Sequence, residues 1–287
     1  MSEWDDKLEF LKSIRKDWCN SDYIEFLVEK VWCINDPVKV VDFGCGYGYI
    51  CDLLMPLLPA GSTYTGIDNS NELIKAARKH LAHYEFEVNF VYADLLEYIP
   101  EEKYDLAICN AVLRHIPNPV KILEKMKNSV VKNGLVICFE VDRPIEEIGF
   151  YCSEIDNYSL GQSELYRKMC DYEYTTGGRD YRVGIKMPKF MQEIGLQNVS
   201  VRMNDSVKFA SPVLDNYEEK RRMFAAGKGY YEILKNPDVL PPLAVALTDK
   251  EKKKFLDNQQ KIASTVVNGE GYLIQTPCVL ISYGWKL

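Results

Sequence analysis

The stretch Val40-Val41-Asp42-Phe43-Gly44-Cys45-Gly46-Tyr47-Gly48 is the part of the sequence from which the fold can be inferred. It begins as a β-branched strand, ends in an acid and opens into three closely spaced glycines. Because glycine lacks a Cβ atom, it permits positive φ in a tight turn and lets a ligand lie against bare backbone. The apolar residues 49–55 predict a buried helix whose first N–H groups face that ligand. The stretch therefore indicates a nucleotide-binding turn.

The spacing of the glycines separates two classes of ligand. Dinucleotide dehydrogenases space their glycines as G-x-G-x-x-G, whereas here the third glycine comes one residue earlier, as G-x-G-x-G. Asp42 stands just ahead of the first glycine, where an acid would repel a pyrophosphate but suits a cationic or zwitterionic ligand. The pattern disfavours a nicotinamide dehydrogenase. A structural turn without a ligand stays open as the alternative.

A second β-rich run, Thr63–Asp68, also ends in an acid. Asp68 lies about 20 residues beyond the glycines, where a carboxylate can accept hydrogen bonds from ribose hydroxyls. We therefore predict that Asp68 binds a ribose, with Asn69 next to it in the binding loop. The alternative for Asn69 and Ser70 is capping of the helix that follows.

Two more strands end in polar residues. Residues 88–93 lead into Asp94 and Leu95, which suit an adenine amino group and the face of its ring, respectively. Residues 104–109 lead into Asn110. Because parallel strands present their carboxyl ends at one edge of a sheet, these residues are expected to meet the glycine turn there.

With these motifs the chain resembles the class I S-adenosylmethionine-dependent methyltransferases. The resemblance runs in register from residue 38 to residue 140, and it rests on the glycine stretch, Gly66-Ile67-Asp68, Ala93-Asp94-Leu95 and residues 104–116. One departure is Val131-Lys132-Asn133-Gly134-Leu135, where the family often has a proline and paired glycines. That turn is structural, so the departure does not affect the predicted site.

The resemblance implies S-adenosyl-L-methionine as the cofactor and S-adenosyl-L-homocysteine as the product. It implies that the glycine turn holds the methionine half, Asp68 the ribose and Asp94 the adenine, while Asn110 lines the methyl donor. The cofactor-binding residues implied in this way are Asp42, Gly44, Cys45, Gly46, Gly48, Asp68, Asn69, Asp94, Leu95 and Asn110.

The order of the elements predicts an α/β fold: a Rossmann-like, doubly wound sheet of seven strands with helices on both faces. Strands and helices alternate from Val38 to Glu140, and the alternating residues 278–286 indicate a last, antiparallel strand. We expect residues 1–34 to form a helical cover and residues 35–203 plus 276–287 to form the cofactor-binding core. Two insertions, 141–183 and 204–275, are expected to form a helical lid for the acceptor.

The composition argues against two classes of partner, nucleic acids and membranes. A formal net charge of −7 over 287 residues opposes a nucleic-acid acceptor, because phosphate backbones are held mainly by concentrated Lys and Arg. The basic run at Lys252–Lys254 is better explained as the first turn of a helix capped by Thr248 and Glu251. No membrane partner is expected, because no apolar run approaches the ~20 residues that span a bilayer.

Cysteine and histidine usage point to a reduced, metal-free protein. The nine cysteines form no C-x-x-C pair and indicate buried thiols, and with only three histidines no metal site is expected. The first residues lack a charged-then-apolar leader, so a cytoplasmic location is expected.

Residues 141–183 contain six tyrosines, which favour a small-molecule acceptor of aromatic or apolar character. The alternative is that these rings build the core of the insertion. Transfer would be an in-line displacement, in which alignment of the groups and exclusion of water do most of the work. If a base is needed, His115 and Glu140 are the candidate catalytic residues, although His115 could instead shape its loop. A methyltransferase acting on a macromolecule and a non-catalytic cofactor-binding protein stay open.

Overall fold

The computed structural model of the protein describes residues 4–15, 18–156 and 160–287. The chain divides into two compact units. The first unit comprises Met1–Val141, Arg182–Asp205 and Val279–Leu287, and the second comprises Asp142–Tyr181 and Ser206–Cys278.

The first unit is built on a seven-stranded mixed sheet in the order β3-β2-β1-β4-β5-β10-β7. Its strands are β1 (Lys39–Phe43), β2 (Thr63–Asp68), β3 (Glu87–Tyr92), β4 (Tyr104–Asn110), β5 (Val130–Val141), β7 (Gln197–Met203) and β10 (Val279–Lys286). The strands β1 to β5 pair in parallel, and β10 runs antiparallel to both of its neighbours. The predicted fold class, including the antiparallel last strand, is confirmed.

The described helices of the first unit surround this sheet. They are α1 (Leu8–Arg15), α2 (Ser21–Phe26) with a π-helical continuation (Leu27–Val31), α3 (Tyr49–Leu54), α4 (Asn71–Leu81), α5 (Pro119–Ser129) and α8 (Val183–Glu193). Apolar side chains of α5 and α8, such as Met126 and Met187, share one buried cluster with Val41 and Val136 of the sheet. Burial of this apolar surface is the main term that holds the helices on the sheet.

Helix α8 begins earlier than the sequence indicates. The family resemblance implies a helix near Pro188–Ile194, where the family pattern resumes after the first insertion. The observed helix contains Pro188 in its interior and begins at Val183. Its second residue, Gly184, packs on the backbone of Glu140, since a Cβ atom there would lie 2.6 Å from that carbonyl oxygen. This close approach requires a glycine and fixes the helix against β5.

The second unit is mostly helical but also contains a small sheet. Its helices are α6 (Arg143–Ile148), α7 (Gln162–Thr176), α9 (Tyr217–Gly227), α10 (Tyr230–Lys235) and α11 (Asp249–Asn268). Three short strands, β6 (Phe150–Cys152), β8 (Lys208–Ala210) and β9 (Leu273–Gln275), pair in the order β6-β9-β8. The sequence did not predict this sheet, because three residues are too few to show an alternating pattern.

Local signals read from the sequence are reproduced in several places. Ser70 caps α4 by accepting a hydrogen bond from the backbone of Leu73, and Thr248 with Glu251 forms a capping box at the start of α11. All nine cysteines are free thiols. In the part of the chain that the structure describes, no helix is both long and apolar enough to cross a membrane.

Candidate active site

The glycine turn joins β1 to α3 and adopts a conformation that only glycine tolerates well. Gly44, Gly46 and Gly48 have φ values of +84°, +55° and +87°. A Cβ atom on Gly44 would lie 2.4 Å from Cγ2 of Val112, and one on Gly48 would lie 2.7 Å from Cδ1 of Leu81. Two of the three glycines are therefore needed both for their backbone angles and because neighbouring side chains approach closely.

Asp68, at the end of β2, ties the glycine turn to the next loop. Its carboxylate accepts hydrogen bonds from the backbone N–H of Gly46 and of Ser70, each at 2.8 Å. Burial raises the pKa of Asp68, while these bonds and the nearby Arg15 act in the opposite direction. The hydroxyl of Ser70 lies 2.6 Å from a carboxylate oxygen of Asp5, which links the N-terminal segment to the same loop.

A cavity of about 200 Å³ lies at the carboxyl ends of β1 to β4. Its lining includes seven of the residues predicted for the site: Gly44, Gly46, Asp68, Asn69, Asp94, Leu95 and His115. Its other lining residues are Trp4, Leu11, Arg15, Leu73, Ala111, Val112 and Ile116. The predicted site residues that do not line it are Asp42, Cys45, Gly48, Asn110 and Glu140. The structure thus brings the strand-end acids together and places a second group of predicted residues behind them.

Asp42 belongs to this second group. Its side chain is buried, and one carboxylate oxygen accepts a hydrogen bond from the hydroxyl of Tyr64 at 2.6 Å. The other oxygen has no hydrogen-bond partner among the described residues. Burial raises the pKa of Asp42 to about 7. The acid expected to face a ligand is therefore buried and does not line the cavity.

Arg15 is a site residue that the sequence analysis missed. It lies at the end of α1, lines the cavity, and has a guanidinium nitrogen 3.6 Å from the place of a Cβ atom on Gly46. Burial lowers the pKa of Arg15, while the negative charges of Asp42 and Asp68 raise it. The signal was present: Leu8, Leu11 and Arg15 follow helical spacing, so a cation occupies the apolar face of α1.

His115 lines the cavity beside Trp4, with the two ring centroids 5.0 Å apart in an edge-to-face arrangement. Its Nε2 atom accepts a hydrogen bond from Nε of Arg114 at 2.9 Å. A neutral imidazole that accepts at Nε2 carries its proton on Nδ1, so this arrangement commits the lone pair that a base would use. The predicted catalytic role of His115 stays a prediction, and the geometry favours a role in shaping the cavity wall.

Glu140, the second candidate base, is fully buried near the end of β5. One carboxylate oxygen accepts hydrogen bonds from the backbone N–H of Val112 at 3.0 Å and of Leu113 at 2.7 Å. Burial raises the pKa of Glu140 to about 7, against the opposing effect of these bonds. Because Val112 lines the cavity, Glu140 positions the wall, and its role as a base stays a prediction.

Asn110 ends β4 and is buried. Neither polar atom of its amide has a hydrogen-bond partner in the ranges that the structure describes. A buried amide without partners is costly, but Asn110 does not line the cavity, so its predicted place beside the methyl donor stays a prediction. The next residue, Ala111, has φ of +56° and turns the chain toward the cavity wall.

Comparison with known proteins agrees with this geometry. Residues 34–176 match the model of a family described as a methyltransferase domain. The chain is 28% identical over 130 residues to trans-aconitate 2-methyltransferase of Rhodopseudomonas palustris, covering 42% of this chain and 48% of that protein. It is 27% identical over 114 residues to the ubiquinone biosynthesis O-methyltransferase of Actinobacillus pleuropneumoniae, covering 38% and 47%. The matches thus span about half the length of these relatives.

Among solved structures, the chain resembles phosphoethanolamine N-methyltransferase 2 of Haemonchus contortus, which was solved with phosphomonomethylethanolamine and S-adenosylhomocysteine. The TM-score is 0.52 at 10% sequence identity, and the alignment covers 100% of this chain and 60% of that one. At this level of identity the likeness concerns the fold alone.

Proposed function

The chain belongs to the class I S-adenosylmethionine-dependent methyltransferase family, and we propose that it binds S-adenosylmethionine at the sheet edge and methylates a small-molecule acceptor. The observation that carries the proposal is the cavity itself, which is lined by the glycine turn, two strand-end carboxylates and a buried cation. A nucleoside joined to a zwitterionic amino acid needs this combination of groups.

The lining residues fit the cofactor part by part. Asp68 keeps acceptor capacity for ribose hydroxyls, because a carboxylate accepts about four hydrogen bonds and the backbone N–H groups of Gly46 and Ser70 supply two of them. Asp94 and Leu95 offer an acceptor and an apolar surface for the adenine. Gly46 leaves room for the methionine half, because a side chain there would extend toward the guanidinium of Arg15.

We assign Arg15 to the carboxylate of the methionine half. Its Nε atom is buried and has no hydrogen-bond partner within residues 4–15, 18–156 and 160–287. A guanidinium pairs well with a carboxylate, and a partner of opposite charge would offset the cost of burying Arg15. The assignment extends the predicted cofactor site to the first helix of the chain.

The bound cofactor would supply a sulfonium methyl group, so little covalent chemistry is left to the protein. Apolar residues around the cavity, including Trp4, Leu11 and Ile116, keep water away. Glu140 holds Val112 and Leu113 in place, and Val112 closes over Gly44. These contacts fix the wall against which donor and acceptor are aligned.

A small molecule is the proposed acceptor. Support comes from the relatives, whose names specify trans-aconitate and a step of ubiquinone biosynthesis, and from the acidic balance of the chain. The first acceptor panel therefore contains unsaturated carboxylic acids, phenols and small amines. Methyl transfer from isotopically labelled S-adenosylmethionine to any one of them identifies the acceptor class.

Calorimetry with purified protein tests the cofactor assignment. We expect micromolar binding of S-adenosylmethionine and S-adenosylhomocysteine, and none of a nicotinamide dinucleotide. Asp68→Ala should weaken cofactor binding by about 10-fold or more, because it removes hydrogen bonds to a charged group worth about 1.5–3 kcal/mol. Glu72→Ala is the matched control, since this exposed acid pairs with Lys75 in the first turn of α4 and does not line the cavity.

Three outcomes distinguish the ribose assignment, the cofactor assignment and the proposal of catalysis. Binding that Asp68→Ala leaves unchanged would contradict the ribose assignment alone. Binding of neither sulfur ligand would contradict the cofactor assignment. Cofactor binding without methyl transfer to any member of a broad panel, including peptides and RNA, would favour a protein that binds the cofactor without catalysis.

A further inference from the structure

The second unit contains a cavity that the proposed cofactor site does not use. It measures about 340 Å³, compared with about 200 Å³ for the cavity in the first unit. Its walls come from α7, α10, the segment between α10 and α11, and α11. All of its lining residues belong to the second unit, so it is described without reference to the first.

The lining is almost entirely apolar. Most of its surface comes from aliphatic, proline and aromatic side chains such as Met169, Ile233, Leu243 and Phe255. Among the residues that line this cavity in the described chain, only Tyr166 and Gln259 carry a polar side-chain group, and none is charged. Burial raises the pKa of Tyr166, so its hydroxyl is neutral. Such a wall accepts an uncharged ligand and disfavours an ion, which would lose its hydration without a partner.

The cavity is continuous with a packed core and is not a loose surface groove. Met169 and Phe255 are buried members of a hydrophobic cluster that also contains Leu165, Ala244 and Leu247. The remaining walls are half-buried, apart from the exposed Val239. A ligand would therefore contact core side chains at its inner end and reach the surface near Val239.

The outer wall of the cavity is a chain segment with a restricted backbone. The segment from Asn236 to Pro242 contains three prolines, whose fixed φ angles limit collapse. The side chain of Gln260 donates a hydrogen bond to the carbonyl of Pro237 at 3.0 Å, which ties this segment to α11. This hydrogen bond and the restricted backbone add to the packing of Leu240 and Leu243 against the cluster, and together they fix the position of the wall.

We propose that this cavity binds an uncharged, apolar small molecule, with Tyr166 and Gln259 as the groups that recognise a single polar atom on it. The volume of about 340 Å³ would take about eleven non-hydrogen atoms, if each occupies about 30 Å³ as a water molecule does in the liquid. That size corresponds to a two-ring aromatic compound or a medium-length alkyl chain. The site is independent of the cofactor and does not rest on methyl transfer.

The test uses the full-length protein with ¹³C-methyl-labelled methionine and naphthalene as the probe. Met169 lines the cavity and is buried, so its methyl resonance reports directly on an aromatic ring placed there. We expect naphthalene to shift the Met169 resonance in a saturable manner, at least 10-fold more tightly than naphthalene-2-sulfonate. The Met169→Leu variant assigns the resonance among the eight methionines.

A filling variant and its control complete the experiment. Leu243→Trp adds an indole to the cavity wall and should weaken naphthalene binding at least 10-fold. Val245→Trp should not, because Val245 is exposed and does not line the cavity, although it lies in the same short 3₁₀ helix, Pro242–Ala246. If Leu243→Trp lowers the melting temperature sharply, Leu256→Trp on the wall formed by α11 replaces it. The absence of a saturable Met169 shift, or equal binding by both tryptophan variants, would overturn the proposal.

Discussion

The proposed cofactor cavity and the apolar cavity of the second unit differ in how their walls are specified. In the first unit the walls are backbone at glycines, strand-end carboxylates at Asp68 and Asp94, and a buried guanidinium at Arg15. In the second unit they are apolar side chains that also belong to, or adjoin, a hydrophobic cluster. A polar wall needs particular residues at particular places, whereas an apolar wall needs only shape and hydrophobicity.

This difference has a consequence for mutational sensitivity. A polar wall loses a specific hydrogen bond or charge when one residue changes, so its function should fall steeply while the fold persists. An apolar wall tolerates exchange among residues of similar volume.

The largest effect is expected at Gly44. Gly44→Ala forces a side chain into the left-handed region at a φ of +84° and places its Cβ atom 2.4 Å from Val112. The backbone strain costs about 1–2 kcal/mol and the overlap about 1–3 kcal/mol. We therefore expect the free energy of unfolding to fall by about 3 kcal/mol in urea titrations, and S-adenosylmethionine affinity to fall more than 10-fold in calorimetry.

Gly229→Ala in the second unit is the matched control. Its φ of +70° imposes similar strain, but no other heavy atom of the described chain lies within 4 Å of the added carbon. We expect a loss of about 1 kcal/mol and unchanged cofactor affinity. Equal losses of stability in the two variants would show that contact with Val112 does not set the requirement for glycine in the cofactor turn.

The next effect concerns Glu140 and pH. Its pKa is about 7 in the folded protein, above the ordinary 4.5, so the folded state holds a proton that the unfolded state releases. The resulting stability is present below pH 4.5 and is lost as pH rises through 7. At about 1.36 kcal/mol per pKa unit, the loss amounts to up to about 3 kcal/mol.

Glu140→Gln should remove that part of the pH dependence, because an amide does not titrate in this range yet still accepts hydrogen bonds from Val112 and Leu113. Unfolding titrations at pH 5 and pH 8 measure the difference. Glu72→Gln, at an exposed acid, should leave the dependence unchanged. If Glu140→Gln instead abolishes methyl transfer while cofactor affinity and stability hold, the residue acts as the base that the sequence suggested.

Sequence reasoning found the strands and the strand-end acids because both have short-range signals. Each parallel strand is a β-rich run followed by a polar residue, and Asp68 and Asp94 both line the cavity. The helix start at Val183 was missed because the N-cap residue, Arg182, makes no side-chain capping hydrogen bond and so gives no start signal in the sequence. The three-residue strands of the second unit were missed because their pairing is decided by distant parts of the chain.

The contacts that the site residues make were harder to predict than the identity of most of those residues. Glu140 was recognised as a strand-end acid, but its bonds to Val112 and Leu113 depend on how the loop after β4 folds back. Arg15 reaches the cavity from a helix that precedes the first strand. The cavity of the second unit left no distinct signal, because its residues have the composition of an ordinary core. The lid role of the two insertions stays a prediction.

A smaller effect on the polar wall is expected at Arg15. Arg15→Met keeps most of the apolar stem but removes the charge that we assign to the methionine carboxylate. We expect S-adenosylmethionine affinity to fall about 10- to 100-fold, which corresponds to about 1.4–2.8 kcal/mol.

Decarboxylated S-adenosylmethionine should bind the variant and the parent protein equally. Lys12→Met, which removes an exposed cation paired with Glu9 on the same helix, should change neither affinity. Equal weakening of both ligands by Arg15→Met would mean that the residue supports the cavity without contacting the carboxylate.

The smallest effect lies in the second unit, at the start of α11. Thr248 accepts a hydrogen bond from the backbone of Glu251, whose carboxylate accepts one from the backbone of Thr248 at 2.7 Å. Thr248→Ala removes half of this capping box and should cost about 1 kcal/mol.

Phe255 and Leu256 on the same helix line the apolar cavity. We therefore expect faster hydrogen exchange along α11 and about 2- to 5-fold weaker naphthalene binding, because about 1.4 kcal/mol corresponds to a tenfold change in affinity. Thr265→Ala, which removes an exposed hydroxyl bonded to Lys261 on that helix, should alter neither. Cofactor affinity should be unaffected by either variant, and a parallel loss in both cavities would show that their walls are not specified independently.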